Sequence, residues 1–178
     1  MERTPPSSHA RIARLLAASL LIALSGCVTT QPQDRAAAAK NLFDQTVRQS
    51  HLPSAEAKGA GRDALLARAA DGYARLLRDY ADQPQWCAQA QRSLANVRAA
   101  QGRLDDAVKL YAGVAGRWPR DDWEIIQSWK SAADLLAGAG RLAEARVFDQ
   151  KIVARFDTKD QPQVVQTIVR ASARRLRG

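Results

Sequence analysis

The sequence predicts an all-α chain of antiparallel helix pairs stacked as a solenoid and closed by a C-terminal capping helix. Three observations predict it. First, residues recur at one spacing: Tyr80, Trp118 and Phe156 stand 38 apart, as do Leu66, Leu104 and Leu142, then Ala69, Ala107 and Ala145, then Leu76, Val114 and Ile152. Gly102 and Gly140 share that offset, and so do Tyr73 and Tyr111. Fixed self-similarity of this length marks stacked supersecondary units. Second, the 7 Pro and 10 Gly leave long stretches free of helix breakers. Third, the closing segment carries one apolar stripe opposed by arginines.

Taken in order, the elements follow from local chemistry. Asp34 is placed to cap a first helix that runs through about Ser50. His51 to Arg62 contains Pro53, Gly59 and Gly61 and reads as a loop. Apolar periodicity then predicts helices over 84–101, 103–117, 122–139 and 141–156. Gly102 and Gly140 each end a helix by taking a left-handed conformation. A second helix follows at once, and so short a connection forces an antiparallel hairpin. Ala107 and Ala145 are small where the paired helices cross. An aromatic closes each second helix, and Pro84, Pro119 or Pro162 lies in the turn to the next unit. Neither helix of a pair can bury its apolar face alone, so neighbouring pairs must supply the core. From Pro162 to Gly178, Val165, Ile168, Val169, Ser172 and Leu176 form one stripe. Arg170, Arg174, Arg175 and Arg177 fill the rest, which predicts a capping helix that is apolar inward and charged outward.

These units resemble the tetratricopeptide repeat family. The residues that carry the resemblance are Leu94, Ala95, Gly102, Leu104, Ala107, Tyr111 and Pro119 in one unit, then Ala133, Gly140, Leu142 and Ala145 in the next. It covers about residues 63–157. Each unit is 38 residues against the family's roughly 34. Asp149 stands where an aromatic is expected, with Phe148 beside it, and the first unit keeps mainly its second helix. Longer aromatic-ended units look like those of periplasmic proteins of outer-membrane barrel assembly and of the Tol–Pal system. The resemblance implies a concave groove lined by the first helix of each unit, which places Gln89, Arg92, Asn96, Gln127, Lys130 and Asp134 in it. Arg92, Asn96 and Lys130 resemble the basic and amide clamp with which some members hold a peptide carboxylate by charge-assisted hydrogen bonds. The same polar residues also fit an ordinary solvated helix face.

Arg3, Arg11 and Arg14 precede an apolar run from Leu15 to Leu24, followed by Ser25, Gly26 and Cys27. That run falls well short of the roughly 20 residues a spanning helix needs, so residues 1–26 read as a secretory signal. Leu24 to Cys27 looks like the lipobox of bacterial lipoproteins. This resemblance implies lipid on the Cys27 thiol, cleavage before it, and acylation of the new amine, a multi-chain anchor that holds stably. Val28, rather than Asp, after the cysteine implies the periplasmic face of the outer membrane. Residues 27–34 then form the lipidated cysteine and tether, and residues 35–178 the repeat domain. The covalent lipid is the only non-protein group expected.

The formal net charge is +9, and cleavage before Cys27 leaves +7 by removing Arg3, Arg11, Arg14 and Glu2. Basic residues are spread along every helix, and no nucleic-acid-reading motif accompanies them, so nucleic acid is not an expected partner. HExxH, CxxC, GxSxG and a phosphate-binding Gly loop are all missing from the sequence. Asp105, Asp106, Asp121 and Asp122 fall near helix starts, where they cap and meet the helix dipole. Cys87 reads as a small buried hydrophobe and His51 as a solvated loop residue; neither catalysis nor metal binding is expected. Trp86, Trp123 and Trp129 read as core between units, with partner anchoring as the alternative. The expected role is a scaffold for a cell-envelope protein. The alternative is a basic component that meets anionic lipid or glycan through Arg170, Arg174, Arg175 and Arg177.

Overall fold

The computed structural model describes residues 32–178, so the signal segment and Cys27 lie outside the described residues. Within that span lie seven α-helices: α1 Pro32–Thr46, α2 Gly59–Asp79, α3 Pro84–Ala100, α4 Leu104–Arg117, α5 Asp122–Gly138, α6 Leu142–Phe156 and α7 Gln163–Arg177. Among the described residues there is no strand, and no helix is long and apolar enough to cross a membrane.

Every helix from α2 to α7 packs against its predecessor, and α1 also touches α3, α3 touches α5, and α5 touches α7. The central odd-numbered helices are therefore covered on more than one side. The burial pattern records this. In α3, Cys87, Ala88, Ala90, Leu94, Ala95 and Val97 are all buried, and in α5 so are Ile125, Ile126, Trp129, Ala132, Ala133 and Leu136. The many alanines let neighbouring backbones approach. By contrast, α4 buries only Ala107, Tyr111 and Val114, one stripe of an amphipathic helix. The core falls into two clusters that share α3: Leu94 and Val97 join Leu66, Tyr73 and Leu76, whereas Ala95 joins Tyr111, Val114, Ile126 and Ile152.

The repeated positions keep most of their expected roles. Ala69, Ala107 and Ala145 are buried, as are Leu76, Val114 and Ile152. Leu142 differs: it is 59% exposed, whereas Leu66 is buried and Leu104 half-buried; Leu104 and Leu142 are the first residues of their helices, and Leu66 lies inside α2. Gly102 and Gly140 both have φ near 75°. At each, two backbone bonds close the helix: Gly102 N–H donates to Ala99 O at 2.9 Å and Arg103 N–H to Arg98 O at 2.9 Å, while Gly140 N–H donates to Ala137 O at 3.0 Å and Arg141 N–H to Leu136 O at 2.9 Å. This is the Schellman closure, and it needs a residue free to adopt positive φ.

The N-terminal region departs from expectation. The first helix begins at Pro32, so Asp34 lies in its first turn rather than at its cap; a proline is tolerated there because those amides have no helical acceptor. The stretch expected as a loop is largely wound. Val47–His51 makes a π-helical turn, Pro53–Ala55 a 3-10 turn, and α2 already starts at Gly59. Pro53 starts the 3-10 turn, because proline's fixed φ suits the first position of a helical turn. Gly72 explains how α1 lies against α2: a Cβ there would fall 2.4 Å from Thr46 Oγ1.

Gly102→Ala should lower stability by about 1 kcal/mol through left-handed strain alone, since no atom lies within 4 Å of the added Cβ. Gly138→Ala, in the last turn of α5 with equally open space, should leave stability unchanged or raise it by about 0.5–1 kcal/mol. Urea unfolding midpoints check the pair; equal shifts would contradict the closure assigned to Gly102.

Candidate functional site

The six residues expected to line a groove divide between α3 and α5, and most are engaged with other side chains of the chain. Arg92 on α3 reaches across to α5, where its Nε donates to Glu124 Oε2 at 2.5 Å and its Nη2 to Glu124 Oε1 at 3.3 Å. Glu124 is 5% exposed, so this ion pair is shielded and ties consecutive odd helices together. Asn96 Oδ1 accepts the Tyr111 hydroxyl proton at 2.5 Å. Lys130 Nζ donates to Asp134 Oδ2 at 2.6 Å, and Asp134 Oδ1 also receives Arg175 Nη1 at 2.9 Å. Gln89 and Gln127 are half-buried. The structure thus brings Arg92, Asn96 and Lys130 onto the odd helices as expected but gives each an internal partner.

Of the four arginines expected to face outward from the last helix, Arg170, Arg174 and Arg177 are exposed. Arg175 is not: it turns inward and forks onto Asp149, with Nε at 2.9 Å from Oδ2 and Nη2 at 2.6 Å from Oδ1. Asp149 is fully buried, and a buried carboxylate without a cation would be costly. This corrects the reading of Arg175 as a surface charge. It also explains why Asp149 can stand at the position held by Tyr73 and Tyr111.

Those two tyrosines are the counterparts of Asp149. Burial pushes both phenols up to about 12, with the hydroxyl of Ser93 near Tyr73 and that of Ser131 near Tyr111 acting the other way. Ser93 and Ser131 are themselves 38 apart. At all three positions an even helix presents an oxygen that is satisfied by an odd helix or its flank. Tyr73 Oη also lies 2.8 Å from His51 Nδ1. His51 is therefore half-buried rather than solvated, and burial lowers its pKa. Cys87 is buried as expected; its thiol donates to Tyr80 O at 3.1 Å, and burial raises its pKa. Among the described residues no group of three His, Cys, Asp or Glu side chains is placed to hold a metal ion.

The tryptophans separate by role. Trp86 packs on Phe43 of α1 with ring centroids 5.9 Å apart, and Trp129 meets Phe156 edge-on at 6.2 Å. Trp123 is 47% exposed. It borders a cleft of about 690 Å³ that sequence reasoning did not find, formed where α3 starts, α4 ends and α5 starts. Pro84, Gln85 and Gln89 line it from α3, Arg117 and Trp118 from the end of α4, and Pro119 to Glu124 from the turn and first residues of α5. Only Gln89 among the expected groove residues borders it. The available signal was the run Trp118-Pro119-Arg120 with Trp123 just beyond, two large aromatics flanking a turn.

Cleft electrostatics follow from what its charges already touch. Asp121 caps α5, accepting the Glu124 amide at 3.2 Å. Asp122 accepts Arg155 Nη2 at 2.7 Å, and Glu124 is held by Arg92. Arg117 donates to Gln91 Oε1 at 2.8 Å and lies over the Trp118 ring, 5.1 Å from its centroid. Neither Arg117 nor Arg120 has a carboxylate within 4.0 Å among the described residues. The arrangement suits reversible recognition of a surface, with flat apolar walls and unanswered positive charge.

No protein-family model matches the sequence, and no curated protein does.

Removing Arg175 leaves the Asp149 carboxylate buried and unpaired. Arg175→Ala should cost about 2–3 kcal/mol, less than for a fully enclosed pair because Arg175 keeps some solvent contact. Arg174→Ala, one residue away and exposed, should stay within about 0.5 kcal/mol of the parent. The double variant Asp149→Leu with Arg175→Leu should recover more than half of the loss. Chemical unfolding of the four proteins tests this, and equal losses for Arg174→Ala and Arg175→Ala would contradict it.

Proposed function

We propose that this chain is an outer-membrane-anchored periplasmic lipoprotein that acts as a non-catalytic protein–protein scaffold in the bacterial cell envelope. Under this reading the hairpins α1–α2, α3–α4 and α5–α6 form a solenoid of the tetratricopeptide kind, capped by α7. Lipid on Cys27 holds it at the membrane. One observation carries the reading: the odd helices touch in succession and bring residues 38 apart onto equivalent places. A rigid face made this way offers a partner segment a pre-ordered surface, so little ordering entropy is lost on the scaffold's side when the two associate.

The internal partners of Arg92, Asn96 and Lys130 move the expected contact away from a carboxylate clamp. They leave the Gln89–Gln127 face and the adjoining cleft as the surface offered to a partner. The alternative, a basic face for anionic lipid or glycan, is weakened because Arg175 is withdrawn into an ion pair.

A photo-cross-linking residue placed at Gln89 or Gln127 in living cells should form discrete protein adducts. The same residue at Lys109 or Gln150, exposed on the even helices, should not. Adducts at all four positions alike, or at none, would count against the scaffold reading.

A further inference from the structure

The three junctions between an even helix and the next odd one are not equivalent. At the first, Tyr80 is covered by α1: the Arg35 guanidinium lies 5.4 Å from the ring centroid and pairs with Asp82 at 2.6 Å. At the third, Phe156 is 2% exposed, and the neighbouring depression is about 330 Å³. The second junction differs from both. Its cleft is about twice as large, and Trp123 at its rim leaves 47% of its surface in solvent. Trp123 lies beside Trp118, Pro84 and Pro119 in the same lining, so its exposed face joins a contiguous apolar surface rather than standing alone.

We infer that the cleft takes an extended peptide segment in which an acidic side chain lies next to a proline or other apolar residue. This deepens the scaffold reading above and rests on it. Charge selects the acid. Every carboxylate in the cleft is committed to a helix cap or an arginine, whereas Arg117 and Arg120 have none. A carboxylate entering there gains a charge-assisted hydrogen bond without displacing an existing pair. Shape selects the apolar neighbour. Trp118, Trp123 and the Pro84 and Pro119 rings are flat walls of the kind on which a pyrrolidine ring or aliphatic side chain stacks, and a segment already extended loses little entropy on docking. Gln85 offers a side-chain amide to the ligand's backbone. The volume falls within the roughly 300–1,000 Å³ of pockets that bury a compact ligand, so the cleft holds a few residues rather than a folded domain. A basic segment would meet unanswered arginines, and a neutral glycan would leave them unanswered.

Selection of a phage-displayed random dodecapeptide library on the purified full chain tests this. Enriched sequences should pair Asp or Glu with an adjacent proline, aromatic or aliphatic residue. Synthetic versions should bind with a fluorescence anisotropy change that weakens about tenfold or more in Arg120→Glu and in Trp123→Ser, as for hot-spot truncations. Arg146→Glu, exposed on α6, should not alter it. Both cleft substitutions are at exposed positions, and unchanged melting curves will confirm that each variant folds. Enrichment of basic or charge-free sequences, no enrichment, or wild-type affinity in both cleft variants would overturn the assignment. Failure of the scaffold reading would appear separately, as missing adducts in the cellular cross-linking.

Discussion

The constraint on which the rest depends is that α3 and α5 must each bury more than one face at once. An amphipathic helix normally hides a single stripe and shows its other side to water. Each of these two helices packs against the helices before and after it and also against the neighbouring odd helices, so a large or charged side chain on them must find a specific place. That requirement accounts for the alanine content of α3, the close approach of neighbours, and the division of the core into two clusters that meet at that helix. It also governs the polar residues. Glu124, buried on α5, finds its counter-charge on the adjacent odd helix, in Arg92 of α3. The bond that a functional guess would give to a ligand is used instead to join α3 to α5.

A second thread runs along the even helices. Tyr73, Tyr111 and Asp149 occupy one repeated position, and each delivers an oxygen into the interior. The chemistry changes from phenol to carboxylate, yet the need is constant: a buried oxygen must be hydrogen-bonded. The tyrosines are satisfied by neutral groups, whereas Asp149 requires a full positive charge, supplied by Arg175 of α7. The last helix is therefore fastened differently from its predecessors. Its apolar stripe of Val165, Ile168 and Val169 is held in register by a forked ion pair that also touches Asp134. Local departures from a repeat can mark where the array meets a different kind of neighbour.

Much of the architecture was legible in the sequence because it rests on short-range rules. Gly102 and Gly140 announce helix ends through their conformational freedom, and the 38-residue offset of small and aromatic residues marks equivalent places. The run from His51 to Arg62 was misjudged because proline and glycine signal a change of direction without specifying how tightly the chain winds. The site was harder to read. That Arg92 would meet Glu124, 32 residues later, is a property of how hairpins lie together, which spacing on one helix does not reveal. Asp149 was visibly out of pattern, but its partner lies 26 residues further on, on a helix whose arginines all looked alike. The cleft was missed because it belongs to no single element. It exists only where the ends of three helices converge, and no spacing within one helix brings Trp118 and Trp123 to the same place.

Electron–electron resonance distances between spin labels at Asp71, Lys109 and Val147 would test the stacking most directly. These exposed positions lie 38 apart on α2, α4 and α6, and Cys27 and the buried Cys87 can both be replaced to leave only the labels. Hairpins laid side by side require two similar shorter distances, 71 to 109 and 109 to 147, with 71 to 147 clearly the longest and approaching their sum. If the outer pair proved as close as either inner pair, the helices would be wrapped into a closed bundle, and the shared burial of α3 and α5 would need another explanation.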